Sequence, residues 1–180
     1  KMRERKLRER QEELEKEVNR QTIMLSRQKT EIEKKNNDIM DSINYAKRIQ
    51  TAILPSRNSL DNFSFDSTFI LFMPRDVVSG DFYWFNRFDN KILICCGDCT
   101  GHGVPGAFMS MIGTTILNDA TRNPEKRNPT ALLYTLDKEI KSTLNKNQSI
   151  ETQDGMDCAI IEINTETLEI RSAAARRPIY

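Results

Sequence analysis

The sequence predicts an α+β domain, an antiparallel sheet with helices packed on it, preceded by a long N-terminal helix. Three observations lead there. Residues 1 to 54 contain neither glycine nor proline and are dense in Glu, Lys, Arg and Gln. Beyond Pro55, short runs rich in β-branched and aromatic residues are separated by turn signals. Those runs come as a block, give way to two helical stretches and then resume, which is the order of an α+β domain rather than of alternating βα units.

The long helix comes first. Val18, Leu25, Ile32, Ile39, Ala46 and Ile53 recur every seven residues, forming one stripe along a continuous helix as in a coiled-coil seam. The companion track is poorer, with Leu7 and Leu14 followed by Gln21, Gln28 and Lys35. A parallel homodimer through residues 1–54 is therefore the expectation, and a solvated helix lying on its own domain is the alternative. INYAKRIQTAIL, residues 43–54, is richer in apolar positions, so the helix should begin to touch the globular part there. Pro55 should end it. This divides the chain into a helical linker, 1–54, and a globular domain, 55–180.

STFILFM (67–73), DFYWFNRF (81–88), KILICCG (91–97), DCAIIEI (157–163) and TLEIRSA (167–173) read as strands. Asp89-Asn90 and Asn164 to Glu166 supply the turns between neighbours. Pro105-Gly106-Ala107 opens the first helix, with Phe108, Met111, Ile112, Thr115 and Ile116 expected on its inner face. Asn128-Pro129 reads as cap and first residue of the second, backed by Leu132, Leu136, Ile140 and Leu144.

Bulk properties remove several function classes. The 27 basic and 26 acidic residues leave a formal charge of +1, which offers no argument for nucleic acid as a partner. No apolar run reaches the roughly 18 residues of a membrane span, and the basic start KMRERKLRER lacks the apolar stretch of a signal peptide. Cys95, Cys96 and Cys99 sit inside one strand-and-loop stretch with no further CxxC pair to partner them, Cys158 stands alone, and His102 is the only histidine. Reduced structural thiols in a cytoplasmic protein are thus expected in preference to a zinc site.

Two acids stand out. Asp81 begins one strand and Asp98 ends the next, each about eight residues from the 89–90 turn. An antiparallel hairpin brings both to the same end. Two carboxylates there, flanked by Gly80, Gly97, Gly101 and Gly103, suit a hard cation such as Mg²⁺ or Mn²⁺. Two solvated turn aspartates are the alternative that spacing leaves open.

PRDVVSGDFYWF and CGDCTGHGVPGAFMSMIG resemble the metal-dependent protein phosphatase (PPM) family in its bacterial SpoIIE-like branch. NYAKRIQTAILPS looks like the helix leading into that domain, and QDGMDCAIIEIN and RSAAARRPIY look like later strands. The resemblance implies an αββα sandwich that removes phosphate from phosphoserine or phosphothreonine in proteins. It further implies two divalent cations, Mn²⁺ or Mg²⁺, which clamp the phosphate and activate a water. By position, Asp81 and Asp98 would bind metal through their carboxylates and Cys99 through its backbone carbonyl. Gly101, His102 and Gly103 match the turn into the helix; His102 is a candidate catalytic proton donor, with a structural or capping role as the alternative. An anti-sigma-factor antagonist is the substrate class implied, and the helix would carry a signal from a sensor outside this chain.

The chain also departs from the family pattern. Its later Thr-Asp-Gly-like turn and closing Asp-Asp pair are missing, and no aspartate follows Asp157. Asp154 and Asp157 read as turn residues rather than ligands. The expectation is a PPM domain incomplete at its C-terminus, weak or inactive alone. A catalytically incomplete dimerisation or partner-binding module is the competing reading.

Overall fold

The computed structural model describes residues 1–55, 68–145 and 154–179. Helix α1 runs over Met2–Ile53, as the absence of Gly and Pro predicts. Contacts divide the chain into two units, Lys1–Ser42 and Ile43–Tyr180. The first is helix alone. Its heptad residues Val18, Leu25, Ile32 and Ile39 are all more than half exposed, so the stripe is not buried within a single chain. The last turns of α1 belong to the second unit, where Ile43, Ala46, Gln50 and Ile53 lose exposure at helical spacing.

The second unit is built on a four-stranded antiparallel sheet ordered β1-β2-β3-β4. Its strands are Phe82–Phe88 (β1), Lys91–Cys99 (β2), Met156–Asn164 (β3) and Ile170–Ala175 (β4). Helices α2, Gly103–Ala120, and α3, Pro129–Leu144, intervene between β2 and β3. Alternation along the strands sends Phe82, Trp84, Leu93, Cys95, Cys158 and Ile160 into one core with Leu117, Leu132, Leu136 and Ile140 of the helices. Residues of the opposite parity, Phe85 and Ile92, form a second cluster with Ile70, Tyr83 and Ile94. One sheet covered by helices on one face is half of an αββα sandwich, consistent with the α+β expectation.

The predicted turns hold. Phe88 pairs with Lys91 across Asp89-Asn90, and the Asn164 side chain accepts from the amides of Glu166 and Thr167. Asn128 caps α3 by accepting from the Ala131 amide at 2.9 Å, with Pro129 as first residue.

Three expectations need correction. Ser67 lies outside the described residues, and Thr68–Met73 form no strand. The period-2 pattern of that segment is real: Phe69, Leu71 and Met73 are exposed while Ile70 packs on the second cluster and Phe72 meets Tyr83 edge-on at 5.4 Å. Among the described residues it has no ladder partner, and β1 is the edge strand of the sheet. The inner face of α2 is also displaced by about one residue. Gly106, Ala107, Met109, Ser110, Gly113, Thr114 and Leu117 are buried, whereas Phe108 and Thr115 are exposed. Apolar and polar residues are spread around this helix, with Ser110 and Thr114 buried and Phe108 exposed, so side-chain size rather than hydropathy selects the face that can approach the sheet closely. Finally, Asp157 is a strand residue, paired in register with Asp98, and not part of a turn.

Candidate active site

The β1–β2 register, which pairs Phe82 with Gly97, carries Asp81 beside Asp98 when continued by one step. Partial burial holds the Asp81 carboxyl above its ordinary range; the charge of Asp98 and a hydrogen bond shared with it add to the effect. The Arg177 guanidinium acts in the opposite sense. It contacts Asp98 Oδ2 directly and lies 3.9 Å from Asp81 Oδ1, spanning both acids. Arg177 arrives there from the end of β4, after Arg176 at φ 56° and before Pro178. A left-handed arginine is strained backbone, maintained here by the bridge between Arg176 and Cys158.

Close backbone packing fixes the loop before Asp81. A Cβ on Gly80 would lie 2.8 Å from the Gly101 carbonyl oxygen and 3.3 Å from that of Cys99, so only glycine lets this strand start meet the β2–α2 turn. In that turn Gly101 and Gly103 have φ of 86° and 62°, bracketing His102. His102 occupies the N-cap of α2 but makes no side-chain capping bond. Its Nδ1 lies instead 3.0 Å from Asp76 Oδ2, a contact that orients the ring and selects its tautomer. Arg75, Asp76, Gly80, Asp81, Asp98 and His102 all line one cavity of about 160 Å³. A larger cavity of about 550 Å³ lies between the 68–73 segment and the uncovered sheet face, with Asp81 and Arg177 among its lining residues.

The donors present fit a hard divalent cation. Two adjacent carboxylates are oxygen donors of the kind that suit Mg²⁺ or Mn²⁺, with the Arg177 guanidinium spanning them in this structure. The Cys99 thiol is buried and pushed up to about 12, by burial first and then by Asp98 and Asp81, so it stays neutral and is not a thiolate ligand. Among the described residues no group of three or more His, Cys, Asp or Glu side chains is gathered tightly enough to hold an ion. Two carboxylates supply fewer donors than the six or more oxygens such a cation takes. All four cysteines are free, with Cys95, Cys99 and Cys158 buried and Cys96 exposed.

Asp81, Asp98, Cys99 and His102 thus come together. Asp154 lies in the stretch entering β3, on the rim of a different cavity. Sequence reasoning missed Asp76, Arg177 and Gln50, whose side chain is buried against the loop before Asp81. Asp76 stands five residues from Asp81 with no signal to single it out, and Arg177 meets Asp98 across 79 positions of sequence.

Comparison with known proteins agrees with this geometry. The family model for Stage II sporulation protein E (SpoIIE) matches residues 89–180, just over half the chain. The solved SiaA-PP2C domain of Pseudomonas aeruginosa superposes with a TM-score of 0.64 at 31% identity, over 79% of this chain and 63% of that one. The chain thus spans less than two thirds of that domain. No curated protein matches the sequence. A hairpin that sets two acids side by side, helices on one sheet face and a match over the β2–β4 region agree: the chain belongs to the SpoIIE family of PPM-type phosphatases and holds part of the catalytic domain.

Proposed function

We propose that this chain is the front portion of a metal-dependent protein serine/threonine phosphatase, acting on a phosphoserine or phosphothreonine of a signalling protein. The observation that carries the reading is the Asp81–Asp98 pair, adjacent at one hairpin end and bridged by a guanidinium. Asp81 and Asp98 would hold a divalent cation, Mn²⁺ or Mg²⁺, through their carboxylates, and Cys99 through its carbonyl. Bound there, the cation supplies Lewis acidity and neutralises charge developing at phosphorus. His102, oriented by Asp76 in the same cavity, donates a proton to the serine or threonine oxygen as the P–O bond breaks and a water oxygen joins phosphorus. Arg177 presents the planar donor fork that suits phosphate oxygens.

The remaining parts of the proposal rest on the helix. The exposed stripe of Val18, Leu25, Ile32 and Ile39 fits pairing with a second copy through residues 1–54. The turns over Ile43–Ile53 are where an upstream sensor would act on the site. The substrate class implied by the family is an anti-sigma-factor antagonist, and the setting is the cytoplasm. Among the described residues no helix is long and apolar enough to cross a membrane.

A second reading, a catalytically incomplete module that dimerises or holds a partner, is favoured by the two-carboxylate count among the described residues. One assay separates the two. The chain is incubated with a phosphoserine peptide in Mn²⁺ or in EDTA, alongside Asp98→Asn. Phosphate release that needs Mn²⁺ and Asp98 supports the phosphatase; equal, background release in every arm assigns this chain to the binding module.

A further inference from the structure

Charge is distributed unevenly along the exposed part of α1. Residues 1–10, KMRERKLRER, hold six Lys or Arg and two Glu, a net charge of +4. Residues 11–17, QEELEKE, hold four Glu and one Lys, a net charge of −3. The near-zero total for the chain therefore hides a basic block set directly against an acidic one, and every residue of both is exposed. Ion pairs along the helix neutralise only part of the basic block. Arg5 pairs with Glu9 and Arg10 with Glu13, each at 3.0 Å. Arg3, Lys6 and Arg8 have no carboxylate partner among the described residues.

The shape of the block decides what it can meet. Successive residues turn by about 100°, so Arg8 lies about 140–160° around the helix from Arg3 and Lys6. The positive charge rings the axis, and Met2 and Leu7, both exposed, are about 140° apart and form no apolar face. The first turns are thus not an amphipathic helix that would lie flat in an interface. A partner lying alongside the helix, such as a nucleic-acid duplex, would meet residues 11–17 as well and be repelled by them. A rise of about 1.5 Å per residue puts Glu12 to Glu17 about 16–24 Å along the axis from residue 1. Screening at physiological salt acts over about 8–10 Å. A flat anionic surface approached from the residue-1 end therefore lies within reach of the basic block and beyond reach of the acidic one. Helical side chains also lean toward the N-terminus, which brings the Arg8 guanidinium nearer that surface.

We propose that residues 1–10 are a docking surface for anionic lipid headgroups, a basic collar that meets a membrane surface end-on with α1 standing away from it. A cluster of this many Lys and Arg is what an anionic leaflet attracts. The inference is independent of the cation site at Asp81 and Asp98.

The test uses the full 180-residue chain in co-sedimentation with two kinds of vesicle, phosphatidylglycerol mixed with phosphatidylcholine, and phosphatidylcholine alone. Binding to the anionic vesicles only, falling steeply as salt is added, is the expected result. Arg3→Gln should weaken it about fivefold, and Arg3→Gln, Lys6→Gln and Arg8→Gln together should remove it. These three side chains are exposed and unpaired, so circular dichroism should show the helix content of the triple variant unchanged. Glu15→Gln with Glu17→Gln should leave vesicle binding within about twofold of the parent, because both charges lie beyond the screening length. No binding of the parent to anionic vesicles, or binding that the triple variant retains, overturns the proposal. A several-fold gain in the Glu15→Gln, Glu17→Gln variant overturns the end-on geometry on which the choice of a flat surface rests. Tighter binding to a DNA duplex than to the anionic vesicles overturns it in favour of nucleic acid.

Discussion

Removing the Arg177 guanidinium should tighten the binding of a divalent cation. Arg177 contacts Asp98 and lies 3.9 Å from Asp81, so an incoming cation competes with a positive charge already paired to both ligands. At about 4 Å and an effective dielectric constant near 20, each pair has a Coulomb energy of about 4 kcal/mol. That value is an upper bound here, because the three side chains are 44%, 46% and 58% exposed. Pairs so open to water are worth about 0.2–1 kcal/mol each, so two sum to about 1 kcal/mol, or roughly a fivefold change in affinity. Calorimetric titration of Mn²⁺ into Arg177→Ala and Arg177→Gln should show that gain at about 0.1 M salt and a smaller one at about 0.5 M, where screening weakens the ion pairs. Weaker or unchanged binding in both variants would refute the reasoning. It would make Arg177 a brace that holds the two acids in place rather than a competitor for them.

Other substitutions probe the same site. Gly80→Ala should destabilise the chain by about 1–3 kcal/mol, measured by thermal denaturation, because its Cβ would lie 2.8 Å from the Gly101 carbonyl, a backbone atom with no rotamer to escape into. Asp81→Asn should raise stability at neutral pH in EDTA. The folded chain holds the Asp81 carboxyl above its ordinary 3.8, by burial and then by Asp98. Its favourable contribution is therefore present below that ordinary value and lost as pH rises through the raised one. The gain in Asp81→Asn should be on the order of a few tenths of a kcal/mol, given the exposure of the group. It should vanish in melts below pH 3.8, and a gain that persists there would contradict the sign.

Local patterns in the chain carried most of the fold. The turn at Asp89-Asn90 and the alternation on either side suffice to register β1 on β2, and with that to bring Asp81 beside Asp98. Helix α1 followed from composition, and the cap of α3 from Asn128-Pro129. Where local pattern stopped discriminating, the expectation failed. Apolar residues spread around α2 give no hydropathic clue to its inner face, and its glycines and serine decide it through packing distance. The 67–73 run has strand periodicity, but periodicity cannot supply a partner strand. Gln50, Asp76 and Arg177 were illegible for one shared reason. Each acts through a contact 26 to 79 residues away, set by how the elements pack and by no spacing along the chain.

Calorimetric titration of Mn²⁺ into the parent chain and into Asp98→Asn measures most directly whether Asp81 and Asp98 form one cation site. Saturable binding by the parent that Asp98→Asn abolishes is the predicted result. No binding by the parent, or binding that Asp98→Asn leaves intact, would contradict a metal centre at the end of this hairpin.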